Sequence, residues 1–387
     1  MTLRASKPSF NVREKLNQLE RPIGVKGNEL MRAETLQDAR DLVSAGRKNL
    51  IINGAMQVAQ RATQVTSVTA SGVPQTCDRF HVWIGTLGTW TIDQSTDAPD
   101  GFSSSLKVTC TTADASPTGN DYAYFSHRIE GQNLQHLNYG SSAARQLTLS
   151  FWVKSNKTGN STVVLLQRDN SNKLLSLEYT VSSANTWEYK TISIPADTSG
   201  LINNDNGLGL ELEFPFNTGP GYSGGTHQTT WNTYNSSNRY VSTLGVGGAT
   251  SDYFAITGVQ LEVGRNATEF EHRSYGEELA LCQRYYQKHL NPTLRGVAGS
   301  STALNRMGTS LPVTMRDNPV ISVEGTFSWY DGNITGTFTS ANIASSYSRT
   351  SFIEIEAAAA TGTTATYRPI VTYITGTASY LICSSEL

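Results

Sequence analysis

Two pairs of glutamates have the residue type and spacing that acid–base chemistry on a glycan would need. Glu211 and Glu213 lie two positions apart, and Glu354 and Glu356 repeat this arrangement near the end of the chain. Side chains two apart on a β-strand project from the same face, and glycosidases place two carboxyl groups roughly 5 to 10 Å apart. Leucine and phenylalanine alternate with the first pair, which is typical of a strand with one solvated face. The pattern favours solvated glutamates and not the catalytic pair of a glycan depolymerase. We therefore predict that the protein has no catalytic residue and is not an enzyme.

A glycine-rich segment matches two patterns that carry chemistry in other proteins. Gly219–Gly224 fits the dinucleotide pattern G-x-G-x-x-G, and Gly221–Gly225 fits the hydrolase pattern G-x-S-x-G around Ser223. Both patterns act at a turn from a strand into a helix, whereas Pro220 interrupts the glycines and poor helix formers follow. His227 is near Ser223 in sequence, but a catalytic triad requires three groups that converge in space. We predict an exposed loop that binds no nucleotide or other cofactor.

The same loop is better suited to binding than to catalysis. It combines four aromatic residues with many asparagines, serines, threonines and glycines, the aromatic residues being Tyr222, Trp231, Tyr234 and Tyr240. A sugar presents C–H faces that stack on aromatic rings and hydroxyls that pair with amides and hydroxyls. These four residues are therefore our candidate glycan-binding residues. A loop that packs on a neighbouring subunit would have the same composition, and the sequence leaves this alternative open.

Charge and hydropathy exclude several classes of partner. The chain has 387 residues, of which 16% are charged, and a formal net charge of −2. Globular domains average about 25% charged residues, so this surface is poor in charge. Nucleic acid and anionic lipid require clustered Lys and Arg, and a membrane span requires roughly 18 consecutive apolar residues. We therefore expect no nucleic-acid partner, no membrane insertion and no export signal.

The sequence shows no pattern of metal ligands. Four cysteines lie far apart, without a C-x-x-C pair or a histidine at zinc spacing, and these are Cys77, Cys110, Cys282 and Cys383. We predict reduced, buried thiols. Asp97, Asp100 and the cluster at 203–206 offer oxygen ligands, but none has the spacing of a calcium loop. Asn- and Asp-rich turns are common without any metal, so we predict no metal site.

Residues 1–48 differ in composition from the rest of the chain. They contain ten Lys or Arg and six Asp or Glu, a net charge of +4 that leaves −6 for residues 49–387. Val12, Leu16 and Leu19 lie on one face of a predicted helix, and a second apolar stripe follows within 29–45. Two narrow stripes cannot enclose a core. We interpret the segment as a short helical anchor that folds against another chain, with a flexible tail as the alternative.

The remaining sequence is mainly β. Apolar residues alternate with polar ones in 146–154, and similar strand candidates recur from 105 to 263 without intervening helical patterns. We predict a central antiparallel β-sandwich, a jelly roll, over residues 49–273. A capping-box spacing at Ser274 and Glu277 predicts a linker helix within 274–290, extending to Lys288.

Residues 291–387 return to strand patterns, and we expect a small β domain there. Only three to five strands fit the patterns at 319–327, 351–356 and 369–374. That number is too few for an independent sandwich. Pairing with symmetry mates in a homotrimer would supply the missing core.

Ordered motifs from residue 48 to residue 320 resemble a module of bacteriophage structural proteins and the segments that follow it in tail fibres. The motifs are Lys48–Arg61, Cys77–Phe80, Ala255–Gly264, Ala267–Arg273, Leu281–Lys288, Leu311–Arg316 and Asn318–Val320. The resemblance implies a virion component of the tail-fibre or appendage type, assembled in the host bacterial cytoplasm. It also implies a central domain similar to carbohydrate-binding jelly rolls, but no particular sugar-contacting residue.

The resemblance extends less distinctly to residues 1–48, which look like a virion-attachment segment that meets other virion proteins. Lys7, Pro8, Phe10 and Arg13 are its most distinctive residues. The sequence thus predicts a fibre that is attached through its N-terminus and displays β-sandwich domains toward a host surface polysaccharide. A capsid, neck or tail-junction decoration with a structural role is the alternative.

Overall fold

The chain divides into two units, Met1–Lys48 and Asn49–Leu387. The computed structural model describes Arg32 and residues 48–169, 172–297, 305–332, 335–339, 343–357, 368–373 and 378–387. The predicted anchor helices and the attachment residues Lys7, Pro8, Phe10 and Arg13 therefore lie outside the described residues. No helix in the described part of the chain is long and apolar enough to cross a membrane.

The second unit begins with an antiparallel β-sandwich, as the alternating pattern predicts. Its strands are β1 (Gln64–Val68), β2 (Ser71–Pro74), β3 (Phe80–Gly85), β4 (Thr89–Ser95), β5 (Ser105–Thr112), β6 (Tyr122–Glu130), β7 (Leu147–Ser155), β8 (Gly159–Gln167), β9 (Lys173–Val181), β10 (Glu188–Ile194), β11 (Leu208–Thr218), β12 (Asn232–Thr233) and β13 (Tyr253–Val263). Sheet I has the order β1-β4-β5-β13-β7-β10, and sheet II has the order β12-β9-β8-β11-β6-β3-β2. The inner faces of the two sheets enclose one large apolar core.

Strand periodicity explains this core. Leu149 and Phe151 of β7 are fully buried in this core, while Trp152 and Lys154 on the other face of the strand are half-buried. Phe125 of β6 and Phe216 of β11 meet in the core with ring centroids 5.2 Å apart. Each sheet therefore has one apolar face toward its partner sheet and one outer face free to carry other side chains.

The motifs that resemble phage modules have structural roles in this sandwich. The Asn49 side chain donates to the carbonyl of Val259 at 3.1 Å and accepts the backbone N–H of Leu261 at 3.1 Å. The Asn53 side chain donates to the carbonyls of Val58 and Asp78, both at 2.9 Å. These buried amides tie the opening segment to β13 and to the segment that leads into β3, because buried backbone groups otherwise lack partners.

Two α-helices are found among the described residues, α1 (Pro220–Ser223) and α2 (Tyr275–Gln283). The predicted capping box of α2 is confirmed, since Ser274 and Glu277 exchange hydrogen bonds. The predicted extension of this helix to Lys288 is wrong. The chain leaves the helix after Gln283 and Tyr286 begins a strand, because the later residues pair with the end of the chain.

The C-terminal region has more strands than the sequence patterns predict. Ten strands are described, namely β14 (Tyr286–Leu290), β15 (Arg295–Val297), β16 (Asn305–Ser310), β17 (Val320–Glu324), β18 (Phe327–Tyr330), β19 (Thr335–Phe338), β20 (Ile343–Arg349), β21 (Phe352–Ala357), β22 (Pro369–Tyr373) and β23 (Tyr380–Ser384). They form a three-stranded sheet, β14-β23-β17, and a seven-stranded sheet, β19-β18-β22-β15-β16-β21-β20. Trp329, Phe327 and Ile355 belong to a core of their own. Nine of these strands lie within 291–387, so the expectation of three to five strands there is wrong, because short polar strands lack a strong alternating signal.

The last residues of the chain bind the sandwich through buried charges. Arg79 Nη1 lies 2.6 Å from Glu386 Oε2, and its guanidinium lies 3.4 Å from the ring centroid of Tyr285. Arg61 Nη2 lies 2.8 Å from Glu386 Oε1, and its guanidinium covers the ring of Tyr286 at 3.6 Å. One carboxylate thus joins two arginines of the sandwich, each stacked on a tyrosine.

The predicted state of the cysteines is confirmed. All four are free thiols and all four are buried. Burial raises the pKa of the Cys383 thiol to about 12, so the neutral thiol is its form at neutral pH.

Candidate functional site

The outer face of sheet II carries the glutamates that the sequence singles out. Glu211 and Glu213 lie on β11 and point away from the sandwich core, as their spacing predicts, but both are 0% exposed. The prediction of a solvated strand face is therefore wrong. The loop from 219 to 246 folds over this part of the sheet, and arginines surround the two carboxylates. The second pair is not freely solvated either, because Glu354 is half-buried and Glu356 is nearly buried beside Arg306.

Glu211 is held between two arginines. Arg128 Nε of β6 donates to Glu211 Oε1 at 2.9 Å, and Arg168 Nε donates to Glu211 Oε2 at 2.9 Å. Burial opposes ionisation of Glu211, but the two guanidiniums outweigh it and keep the pKa below its ordinary value. Glu211 is therefore an ionised structural carboxylate with its hydrogen-bonding capacity used by cations.

Glu213 has a different partner and a pKa shifted in the opposite direction. Arg239 Nε donates to Glu213 Oε2 at 2.9 Å, Arg239 Nη2 donates to Oε1, and the Tyr240 hydroxyl donates to Oε2 at 3.1 Å. Burial raises the pKa of Glu213, and the neighbouring Glu211 adds to this rise although Arg239 opposes it. Neither glutamate has exposed surface that a glycosidic bond could approach, so this pair lacks the access that glycosidase chemistry requires.

Arg239 organises the tyrosines of this face. Its guanidinium carbon lies 4.8 Å from the ring centroid of Tyr240, 5.2 Å from that of Tyr124, 5.9 Å from that of Tyr234 and 6.0 Å from that of Tyr222. Cations attract the faces of aromatic rings, most strongly when desolvated. Since Arg239 is itself buried and bonded to Glu213, it fixes the four rings relative to the sheet.

The structure brings together three of the four predicted aromatic residues. Tyr222 and Tyr234 are half-buried, with surface left for a ligand. Tyr240 is 0% exposed, so its predicted direct contact with a glycan is corrected to a supporting role beneath the other rings. Trp231 lies apart from them, 6.0 Å from the ring of Tyr139, and its indole donates to the carbonyl of Pro195 at 2.8 Å. Trp231 therefore packs at a different place, beside the core of the sandwich.

Two further aromatic residues of this face were missed in the sequence. Trp83 of β3 stacks on Tyr124 with centroids 5.9 Å apart and planes inclined by 12°. Tyr122 of β6 meets Tyr222 edge to face at 6.1 Å. The alternation of Tyr122 and Tyr124 was a detectable signal of a shared strand face. Trp83, Tyr122, Tyr222 and Tyr234 are all half-buried, and we call these four residues the tyrosine face.

The glycine pattern of the loop serves close packing. A Cβ added at Gly225 would lie 1.9 Å from Asn238 Oδ1, and one added at Gly221 would lie 2.5 Å from Asn120 Oδ1. Ser223 Oγ donates to the carbonyl of Gly219 at 3.2 Å, and α1 is only one turn long. His227 Nε2 lies 3.1 Å from a carboxylate oxygen of Glu178. The described contacts of Ser223 and His227 thus go to other groups and do not form a triad.

The predicted oxygen-rich turns also have structural partners. Asp97 accepts the indole N–H of Trp187 at 3.0 Å and both its carboxylate oxygens accept from Lys154. Asn203 donates through its backbone and side chain to Asp169. Within the described residues, no group of three or more His, Cys, Asp or Glu side chains is arranged to hold a metal ion.

Comparisons with known proteins found similar chains among the solved structures. No family model and no curated protein sequence matches the chain. One similar structure is the enzymatically active domain of tailspike protein 4 of bacteriophage CBA120, with 15% identity and a TM-score of 0.29; the match covers 56% of this chain and 21% of that one. The chain thus spans about a fifth of the length of this tailspike structure.

Carbohydrate-binding modules are also among the similar structures. The family 11 module from Clostridium thermocellum, in complex with a β-1,3-1,4-mixed-linked tetrasaccharide, has 12% identity and a TM-score of 0.27, with 53% of this chain and 98% of that one covered. A xylan-binding domain from Paenibacillus barcinonensis has 10% identity and a TM-score of 0.26, with 52% and 95% covered.

Proposed function

We propose that this protein is a non-enzymatic phage virion appendage whose β-sandwich binds a glycan of the host surface through the tyrosine face. One observation carries the proposal. Four half-buried aromatic side chains lie together on the outer side of sheet II, next to the buried Arg239–Glu213 ion pair. They are Trp83, Tyr122, Tyr222 and Tyr234.

The chemistry of this face suits a sugar. Aromatic rings stack on the C–H faces of pyranose units, and the surrounding loop supplies amides and hydroxyls for the sugar hydroxyls. The Arg239–Glu213 pair holds the loop on the sheet before any ligand arrives. Binding then needs little ordering of the protein, which reduces the entropic cost of association.

The virion setting is supported by the ordered motifs from residue 48 to residue 320 and by the separate composition of residues 1–48. In this proposal residues 1–48 attach the chain to other virion proteins and the sandwich extends outward. The homotrimer rests on the resemblance alone, because the C-terminal region has a core of its own. Several copies on one particle would add avidity to a weak glycan contact.

Binding of the purified protein to isolated host surface polysaccharide tests the proposal. Replacing both Tyr222 and Tyr234 with alanine should weaken binding at least tenfold, or ~1.4 kcal/mol, because two stacking rings are lost. Tyr275→Ala is the matched control, since Tyr275 is 57% exposed and lies on α2. Absence of binding by the wild-type protein, or equal binding by the double variant, would overturn the proposal.

A further inference from the structure

The outer face of sheet I carries a second group of aromatic side chains. Trp152 of β7 and Tyr189 of β10 are partners in the strand register. Their ring centroids are 5.4 Å apart and their planes are inclined by 52°. Tyr189 is 45% exposed and Trp152 is half-buried. Exposed aromatic residues paired on one sheet face are unusual, since an isolated sheet face toward water carries mainly polar side chains.

Hydrogen bonds fix a third ring beside this pair. The Trp187 indole donates to Asp97 Oδ1 at 3.0 Å, and Lys154 Nζ donates to the two oxygens of Asp97 at 3.0 and 2.8 Å. Lys154 Nζ also lies 5.9 Å from the ring centroid of Trp187. The ring of Trp187 is thereby held at its polar edge by Asp97, with the ammonium of Lys154 over the ring.

A fourth ring, that of Tyr253, continues the surface across β13. Its hydroxyl donates to Asn185 Oδ1 at 2.8 Å, and Lys107 Nζ lies 4.6 Å from its ring centroid. Ala255 lies between Lys154 and Lys107 in the register and is itself only 2% exposed. The exposed surface at this point is therefore formed by the rings and by the long side chains beside Ala255.

Charges on and beside this face are balanced. Three lysines each have a carboxylate neighbour, in the pairs Lys154 with Asp97, Lys157 with Asp252 and, in the strand register, Lys107 with Asp93. A surface with matched charges offers no net attraction to an anionic polymer. Its complement is an uncharged ligand with many hydroxyls, which the exposed Thr191 and Ser193 of β10 can meet.

We propose that the outer face of sheet I is a second glycan-binding site, selective for an uncharged polysaccharide, with Tyr189 and Trp152 stacking on successive pyranose units. The two inclined rings fit a chain that twists from one unit to the next. This site is independent of the tyrosine face, because the two lie on the outward sides of the two packed sheets. Two sites on one domain would let a single chain contact two glycan strands.

Affinity electrophoresis in native gels tests this site directly. The probes are three soluble neutral polysaccharides, a dextran, a galactomannan and a xyloglucan, with alginate as the acidic comparator. We expect at least one neutral polymer to retard the wild-type protein, and Tyr189→Ala to reduce the apparent affinity at least tenfold. Tyr189→Phe should retain binding because it keeps the ring. The variant with alanine at both Tyr222 and Tyr234 should also retain it.

Retardation should persist when the salt concentration is raised from about 0.05 M to about 0.5 M, because screening weakens only charge-driven binding. Absence of retardation by all three neutral polymers would overturn the second site, as would retardation by alginate alone. Equal affinity of Tyr189→Ala and wild type would also overturn it. Loss of binding only in the Tyr222 and Tyr234 double variant would assign the polymer to the tyrosine face.

Discussion

The two outer faces of the sandwich differ in the burial of their ion pairs. On sheet II the carboxylates of Glu211 and Glu213 are fully buried and each is bonded to arginine. On sheet I the carboxylate of Asp97 is 44% exposed and its partner Lys154 lies at the surface of the same face. The difference shows that the covering loop determines whether an ion pair on a strand face is buried. The strand pattern alone does not determine this.

The largest expected effect comes from breaking the buried pair. Glu213→Ala leaves the buried guanidinium of Arg239 without its carboxylate, which should lower the free energy of unfolding by ~3–5 kcal/mol. Asp97→Ala breaks an exposed pair and should cost at most ~1 kcal/mol. Urea unfolding of both variants measures the contrast. Similar losses in the two variants would refute the distinction drawn between the faces.

Much of the fold could be predicted from the sequence, whereas the burial of side chains on the outer faces of the sheets could not. The strand Tyr253–Val263 lies at the end of the run of strand patterns predicted from 105 to 263. The pattern around Glu211 and Glu213 also gave their shared face correctly, but not their burial. Local periodicity reports which side chains share a face, while the cover on that face comes from a loop whose docking depends on Arg239.

The same limit explains the candidate site. Composition singled out Tyr222 and Tyr234 because aromatic and amide residues mix in their loop. It could not separate Trp231, which the fold directs to Pro195. It also could not join Trp83 of β3 to Tyr124 of β6, because only strand pairing brings the two together.

Titration provides a second contrast between buried and exposed carboxylates. Burial raises the pKa of Asp78 to about 6, against the opposing effect of Arg61. Its ordinary value is about 3.9, so this group favours the folded state below pH 4 and loses that contribution as the pH rises through 6. The loss amounts to ~3 kcal/mol at most.

Asp97 should behave in the opposite sense. Although its partial burial disfavours ionisation, hydrogen bonds from Lys154 and Trp187 lower its pKa, so its contribution is present above pH 4 and is lost as the pH falls. Unfolding of wild type, Asp78→Asn and Asp97→Asn across pH 3.5 to 7.5 measures both. Subtracting each variant from wild type should give difference curves of opposite slope. Slopes of the same sign would contradict the proposed environments.

The most direct test of the central claim, a virion appendage attached through residues 1–48 that displays the sandwich outward, is to locate the chain on imaged particles. We predict wild-type chains at a fibre or appendage, with the sandwich distal to the attachment point. A chain that lacks residues 1–48 should fold but be missing from purified particles. Incorporation of the shortened chain at the wild-type level, or wild-type chains lying flat on the capsid, would contradict the account.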